Sequence, residues 1–225
     1  MTTTTNNKLK ESYENLLFGY AAGTLDEAQN LIVATHLTLS NKGRDFVHHC
    51  ENLGGALIET ECEPVAMADH ALQNVLERLD TGTVHAEKTG KNTFSNHEAF
   101  GFDIPKPLQD SILGQSVRWA TLFPGMKAYD IKLGCEQSIA RFMKADPGHV
   151  SPHHKHGGME ITLVLDGAFS DETGHYDRGD LVVTDEHCDH TPKACPTNGC
   201  VCLVVTSEPI KLTGIASLLN PFLKP

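Results

Sequence analysis

Apolar residues recur at helical spacing through the first third of the chain. Tyr13, Leu16, Leu17, Tyr20 and Ala21 fall at i, i+3, i+4, i+7 and i+8, which lines one face of a helix. Gly23 ends that helix. Thr24 and Glu27 form a capping-box pattern for a second one running to about Leu39, with Leu31, Ala34, Thr35 and Thr38 on a shared face. A third helix is predicted over 44–58 and a fourth over 67–79, with Pro64 between them. The pair Gly54-Gly55 weakens the end of the third. Residues 81–104 contain TGTVHAEKTGKNTFSNHE, lose periodicity and read as a linker. Beyond Pro105 and Pro107 the pattern turns to strands, at 117–122, 126–132, 138–144, 160–165, 180–184 and 200–206. Turns at Pro124-Gly125, Pro147-Gly148, Asp166-Gly167 and Arg178-Gly179 separate several of them. Short strands punctuated in this way suggest a sandwich or small barrel. The chain therefore reads as an α + β multidomain protein: a helical bundle over 1–80, a linker over 81–104 and a β domain over 105–225.

Composition narrows the function classes. The net charge is −11, which argues against direct contact with nucleic acid. The helical part carries 12 acidic and 5 basic residues, a net of −7. There is no run of 18 apolar residues to cross a membrane, and MTTTTNNKLK lacks the apolar core of a signal peptide, so a cytoplasmic location is expected. The 7 cysteines are odd in number and have no scaffold spacing, so free thiols or metal ligands are expected.

The densest chemistry lies in GHVSPHHKHGGMEITLVLDG, residues 148–167. His154 and His156 are two apart, so on a strand both point to one side. Glu160 can return to the same point after the turn at Gly157-Gly158. His190, 11 residues after Gly179, supplies a fourth position. Three imidazoles and a carboxylate suit Zn, Fe, Mn, Ni or Cu better than Ca or Mg. The order G-x5-H-x-H-x3-E-x6-G and the Gly179-to-His190 separation match the two metal motifs of a cupin. In the second motif Asp185, His187 and Ala194 replace the usual Pro, Gly and Asn, which changes the turn residues and keeps the ligand. The competing reading of the region is a His-rich surface loop.

The whole arrangement resembles the ChrR-type anti-sigma factors. The resemblance is carried by GYAAGTLDEAQNLIVATHLTLS (19–40), HHKHGGMEITLVLDGAF (153–169), DHTP (189–192) and CVCL (200–203). It implies an N-terminal helical bundle that binds an extracytoplasmic-function sigma factor. It also implies a C-terminal cupin β-barrel, or jelly roll, required for the response to singlet oxygen or related oxidants. The metal ligands carried over are His154, His156, Glu160 and His190, with Zn first and Fe, Mn or Ni open. The helical half departs from the family, whose zinc-binding domains use an early His followed by H-x3-C-x2-C. His36 is present, Ser40 and Gly43 hold the cysteine positions, and no histidine precedes His36. Structural zinc needs four ligands, so it is expected to be absent here and His36 reads as a packing or surface residue. His48 and His49 point in different directions on a helix, so with Cys50 they are not expected to make a substitute site, and the two histidines read as surface. The apolar residues Leu31, Ile32, Val33, Phe46, Val47, Leu53 and Leu57 can hold the bundle together instead.

Other residues carry open alternatives. Cys200 and Cys202 share one side of a strand and read either as small buried hydrophobes or, with Cys188 and Cys195, as redox-active thiols. Cys50, Cys62 and Cys135 read as packing residues. His153 should point away from His154, and His149, His175 and His187 flank the ligands. The rival function is a metal-dependent cupin enzyme, dioxygenase-like or an isomerase, which has no need of the helical half. Cupins pair edge strands into dimers, which makes a homodimer through the cupin one expectation.

Overall fold

The computed structural model describes residues 3–80, 100–134, 137–208 and 211–212. Four helices come first: α1 (Thr3–Ala21), α2 (Glu27–Leu39), α3 (Asn41–Glu61) and α4 (Ala71–Asp80). Gly23 takes a left-handed φ of +68° and ends α1 as expected. The cap of α2 differs from the expected Thr24–Glu27 pair. Asp26 is the N-cap: its Oδ1 accepts from Gln29 N at 2.8 Å, and Gln29 Oε1 accepts from Asp26 N at 3.3 Å. The Thr24 hydroxyl donates instead to Gly19 O of α1. Ser40 caps α3 by accepting from Gly43 N at 3.1 Å. That helix runs through Gly54-Gly55 to Glu61, so the glycine pair does not end it.

The buried face of α2 also differs from the expected one. It comprises Ala28, Ile32, Val33, Thr35 and His36, of which only Thr35 belongs to the predicted set. The arc is wide and rotated because α2 is enclosed by several elements at once. It touches α1, α3, a short helix α5 (Lys106–Ser111) and the strands Glu160–Ser170 and Cys200–Thr206. Pro105 and Pro107 start α5, where prolines suit a first turn.

All six candidate strands are present: β1 (Ala120–Phe123), β2 (Met126–Asp130), β3 (Ile139–Ala145), β5 (Glu160–Ser170), β7 (Leu181–Thr184) and β10 (Cys200–Thr206). The strand expected to carry His154 and His156 is short, β4 (His154–Lys155), and four others were not legible: β6 (His175–Asp177), β8 (Asp189–His190), β9 (Lys193–Ala194) and β11 (Lys211–Leu212). The large antiparallel sheet runs β1-β2-β3-β10-β5-β6, with β7 and β9 also paired to β5. A small sheet, β11-β4-β8, completes the cupin-like fold, and the large sheet does not close on itself. No helix among the described residues is long and apolar enough to cross a membrane.

The helices share a core with the sheet. Leu16, Leu17, Ile32, Val33 and Val47 join Phe142, Ile161, Leu163, Leu203 and Val205 in one apolar cluster. Phe100 and Ile104, read as linker in the sequence, are buried in the same cluster, with Phe100 4.6 Å from the Phe142 ring. On the other face of the sheet, Val164, Phe169, Val182, Cys200, Cys202 and Val204 form a second cluster. Strand β10 therefore reads CVCLVVT without alternation because both its faces are covered.

The expected turn at Asp166-Gly167 is absent. Strand β5 continues through it with a bulge opposite Val201 and Cys202. Gly167 holds a φ of +69°, and a Cβ there would lie 2.2 Å from Gly199 O. We expect Gly167→Ala to destabilise the full chain by at least about 1–3 kcal/mol from backbone strain alone. A thermal melt matching the parent chain would contradict this.

Candidate metal centre

Two histidines are brought together by strand pairing. His154 on β4 and His190 on β8 are direct antiparallel partners. His154 and His156 are buried while Lys155 between them is exposed, so the alternation expected from the sequence holds. His156 Nε2 lies 3.0 Å from His190 Nε2, and His190 Nε2 lies 3.2 Å from His154 Nε2. Among the described residues these three form a buried group that could hold a metal ion.

The outer nitrogens explain why the inner ones converge. His154 Nδ1 is 2.8 Å from the Pro152 carbonyl oxygen, and His190 Nδ1 is 2.7 Å from Asp171 Oδ2. Both partners only accept, so in each neutral ring Nδ1 carries the proton and Nε2 presents a bare lone pair. Two such lone pairs 3.2 Å apart repel each other unless a cation lies between them. Tetrahedral zinc with Zn–N bonds of about 2.0–2.1 Å separates its nitrogens by roughly 3.4 Å, close to the spacing found. Burial pushes the His154 pKa below the usual histidine value, against the Pro152 carbonyl, which keeps the ring neutral and ready to bind.

Glu160 occupies a different place in the cluster. Its Oε2 lies 3.3 Å from His156 Nδ1, on the outer side of that ring, and the contact is not aligned as a hydrogen bond. Burial raises its pKa, but the contact with His156, with His154 and His190 close by, outweighs this and holds the carboxyl low. Glu160 is thus ionised beside the three imidazoles. Together with His154 and His190 it lines a cavity walled by Phe123, Met126, Met143, Phe169 and Val204.

Asp171 was not singled out by the sequence. It sits in the β5–β6 turn, where its Oδ1 accepts from Thr173 N at 2.7 Å and from Gly174 N at 3.0 Å. Burial raises its pKa, and the hydrogen bonds from His190 and Thr173 overcome that and lower it. The available signal was an Asx turn in SDETGH, and nothing in it connects Asp171 to a histidine 19 residues later.

The remaining candidates fall outside the triad. His153 pairs with Asp189 at 3.1 Å, as expected for the opposite side of the strand. His149 lines the cavity with its Nε2 buried and unpartnered. His175 contacts Ser170 and Asp177. Cys200 and Cys202 do face one side, with their sulfurs 3.3 Å apart on the cavity wall. Contact with Cys200 and burial raise the Cys202 thiol well above its ordinary value. Burial, with Asp171 next, pushes the Cys188 thiol up to about 11. Cys195 is partly exposed, and hydrogen bonds from Thr197 and Asn198 lower its thiol. Cys135 lies outside the described residues.

In the helical half the H-x3-x-x2 positions are filled by hydrogen bonds. His36 is buried, not on the surface: Nδ1 is 3.0 Å from Gly179 O and Nε2 is 2.9 Å from Tyr13 OH. His48 and His49 are exposed on α3.

Comparison with known proteins agrees with this architecture. Residues 111–209 match the ChrR Cupin-like domain. Anti-sigma-E factor ChrR of Cereibacter sphaeroides is 36% identical over 212 residues, spanning 93% of this chain and 95% of that protein. The chain belongs to the ChrR family of anti-sigma factors. The crystal structure of Rhodobacter sphaeroides SigE in complex with the anti-sigma ChrR is similar in fold as well. Its ChrR-like match is 38% identical, covers 86% of this chain and 96% of that one, and has a TM-score of 0.69. The four-helix start and the cupin with its histidine triad are therefore parts of one ChrR-type chain.

Proposed function

We propose that this chain sequesters an extracytoplasmic-function sigma factor with its helical half and senses an oxidant, such as singlet oxygen, with a metal-bearing cupin. One observation carries the first part. Helix α4 presents Leu72, Val75, Leu76 and Leu79 at i, i+3, i+4 and i+7, and they are 65%, 55%, 44% and 66% exposed. On α3, Leu53 and Leu57 are exposed one turn apart. Apolar helix faces of this size mark a surface that docks a protein. The acidic balance of the helical half suits the basic surface that a sigma factor presents to DNA.

For the second part, His154, His156 and His190 would hold one divalent ion, with Glu160 beside them as a fourth ligand or as the group that orients His156. Zn is the first choice. When bound, the ion would fix the small sheet and supply a Lewis-acidic, oxidant-accessible centre. The chain's own residues orient the rings, exclude bulk water with apolar walls and place Cys200 and Cys202 on the same cavity. A metal-dependent cupin enzyme is the second reading, favoured by that apolar cavity opening onto the histidines.

Co-expression with each extracytoplasmic-function sigma factor of the same genome, followed by affinity purification, tests the proposal. A one-to-one complex is expected. If no sigma factor is retained, the sigma-binding reading falls, and oxygen consumption by the metal-loaded chain would test the enzyme reading.

A further inference from the structure

The His36 side chain joins four elements at one buried point. It is 3% exposed, near the end of α2. Its Nε2 meets Tyr13 OH of α1, and the two rings stand edge to face at 5.6 Å. Its Nδ1 meets the Gly179 carbonyl in the turn between β6 and β7. Gly43, in the first turn of α3, leaves room for the ring, because a Cβ there would lie 2.9 Å from Nε2. A carbonyl only accepts, so Nδ1 carries the proton, Nε2 accepts and Tyr13 donates. Burial holds the His36 pKa down, which favours this neutral form.

The turn that His36 grips is fixed to the strands of the metal centre. Gly179 N donates to Val164 O, and Val164 N donates to Asp180 O, both on β5. Arg178 Nε donates to Leu165 O. From there β7 runs beside β5 until Thr184 stands opposite Glu160. Six residues further on the chain reaches His190. One short, fully paired strand thus spans from the Gly179 carbonyl to Glu160 and leads into His190. Two more ties hold the start of α2 to the cupin: Ser138 Oγ donates to Asp26 Oδ2 at 2.6 Å, and Gly134 N donates to Glu27 Oε2 at 2.7 Å.

We infer that the Tyr13–His36–Gly179 chain is the coupling element between the metal centre and the helical bundle. Occupation of the histidine triad sets the positions of β5 and β7. The Gly179 carbonyl passes that setting to α2 through His36 and to α1 through Tyr13. The inference rests on the proposed metal site and does not need a sigma factor to be tested.

The test is hydrogen–deuterium exchange of the full chain with and without zinc. In the parent chain, zinc slows exchange both in cupin peptides over 150–190 and in α1–α2 peptides. In His36→Leu the cupin response stays and the α1–α2 response falls by at least about fivefold, the effect of losing even one of its two hydrogen bonds in a local opening. Tyr13→Phe removes only the hydroxyl, keeps the ring packing and should lose the α1 response while keeping that of α2. A response confined to the cupin in the parent chain, or undiminished in α1–α2 of both variants, overturns the coupling and leaves the metal site standing. No response anywhere in the parent chain removes the metal site and the coupling with it.

Discussion

Replacing both Leu72 and Leu76 with aspartate will abolish capture of the sigma factor and leave the melting temperature of the free chain unchanged. The two residues are i, i+4 neighbours on the exposed face of α4, and neither belongs to the apolar clusters of the described residues. In the free chain the substitution exchanges one solvated side chain for another, and such surface changes stay within about 0.5 kcal/mol. In a complex the same carboxylates would be buried against apolar groups, at a cost of several kcal/mol. An affinity loss of at least about 100-fold is expected, corresponding to roughly 3 kcal/mol. Affinity is read by surface-immobilised titration and stability by calorimetry. A complex of parental affinity would mean that α4 is not the docking face. A lowered melting temperature would mean that the face is part of the folded core.

The second large effect concerns the metal. The parent chain is expected to bind one divalent ion, and His154→Ala combined with His190→Ala to bind none. The two rings are cross-strand partners whose Nε2 atoms face each other, so their loss leaves only His156 and Glu160. Asp171→Ala should retain the one-to-one stoichiometry and weaken binding by about 10–100-fold, the usual cost of removing the carboxylate that orients a ligating histidine. Without Asp171 the His190 proton is free to move to Nε2, which puts a donor where the lone pair must be. Competition against a chromophoric chelator measures both variants. Parental affinity in Asp171→Ala would show that the β4–β8 pairing alone fixes the ring. Metal retained by the double variant would place the ion elsewhere.

The cysteines fit the sensor reading unevenly. A reactive thiol needs thiolate character and exposure. Cys188 and Cys202 are raised, with Cys202 fully buried, whereas Cys195 is partly exposed and lowered. An alkylating probe at neutral pH should therefore label Cys195 before either of the others, with labelling sites read by mass spectrometry.

Periodicity and spacing by themselves determined the order of the parts. Runs with one polar side, such as α1, and runs of short alternating or fully apolar segments, such as 139–145 and 200–206, are set by the geometry of helix and strand. They could be read with boundaries correct to a few residues. The convergence of two histidines was legible for the same reason. His154 and His156 flank the exposed Lys155 where β4 ends, and local extended geometry puts both on one side.

Where several elements meet, local geometry no longer decides. Gly167 reads as a turn, yet β5 continues through it with a bulge, where Gly199 packs against it. His36 reads as a packing or surface residue, and its role appears only when the fold brings Tyr13 and Gly179 to its two nitrogens. Asp171 gained its role only when the β5–β6 turn reached His190. In each case the deciding partner is distant in sequence, and such a contact leaves no period in the chain. Only the packed structure, which must satisfy every buried donor and acceptor at once, selects it.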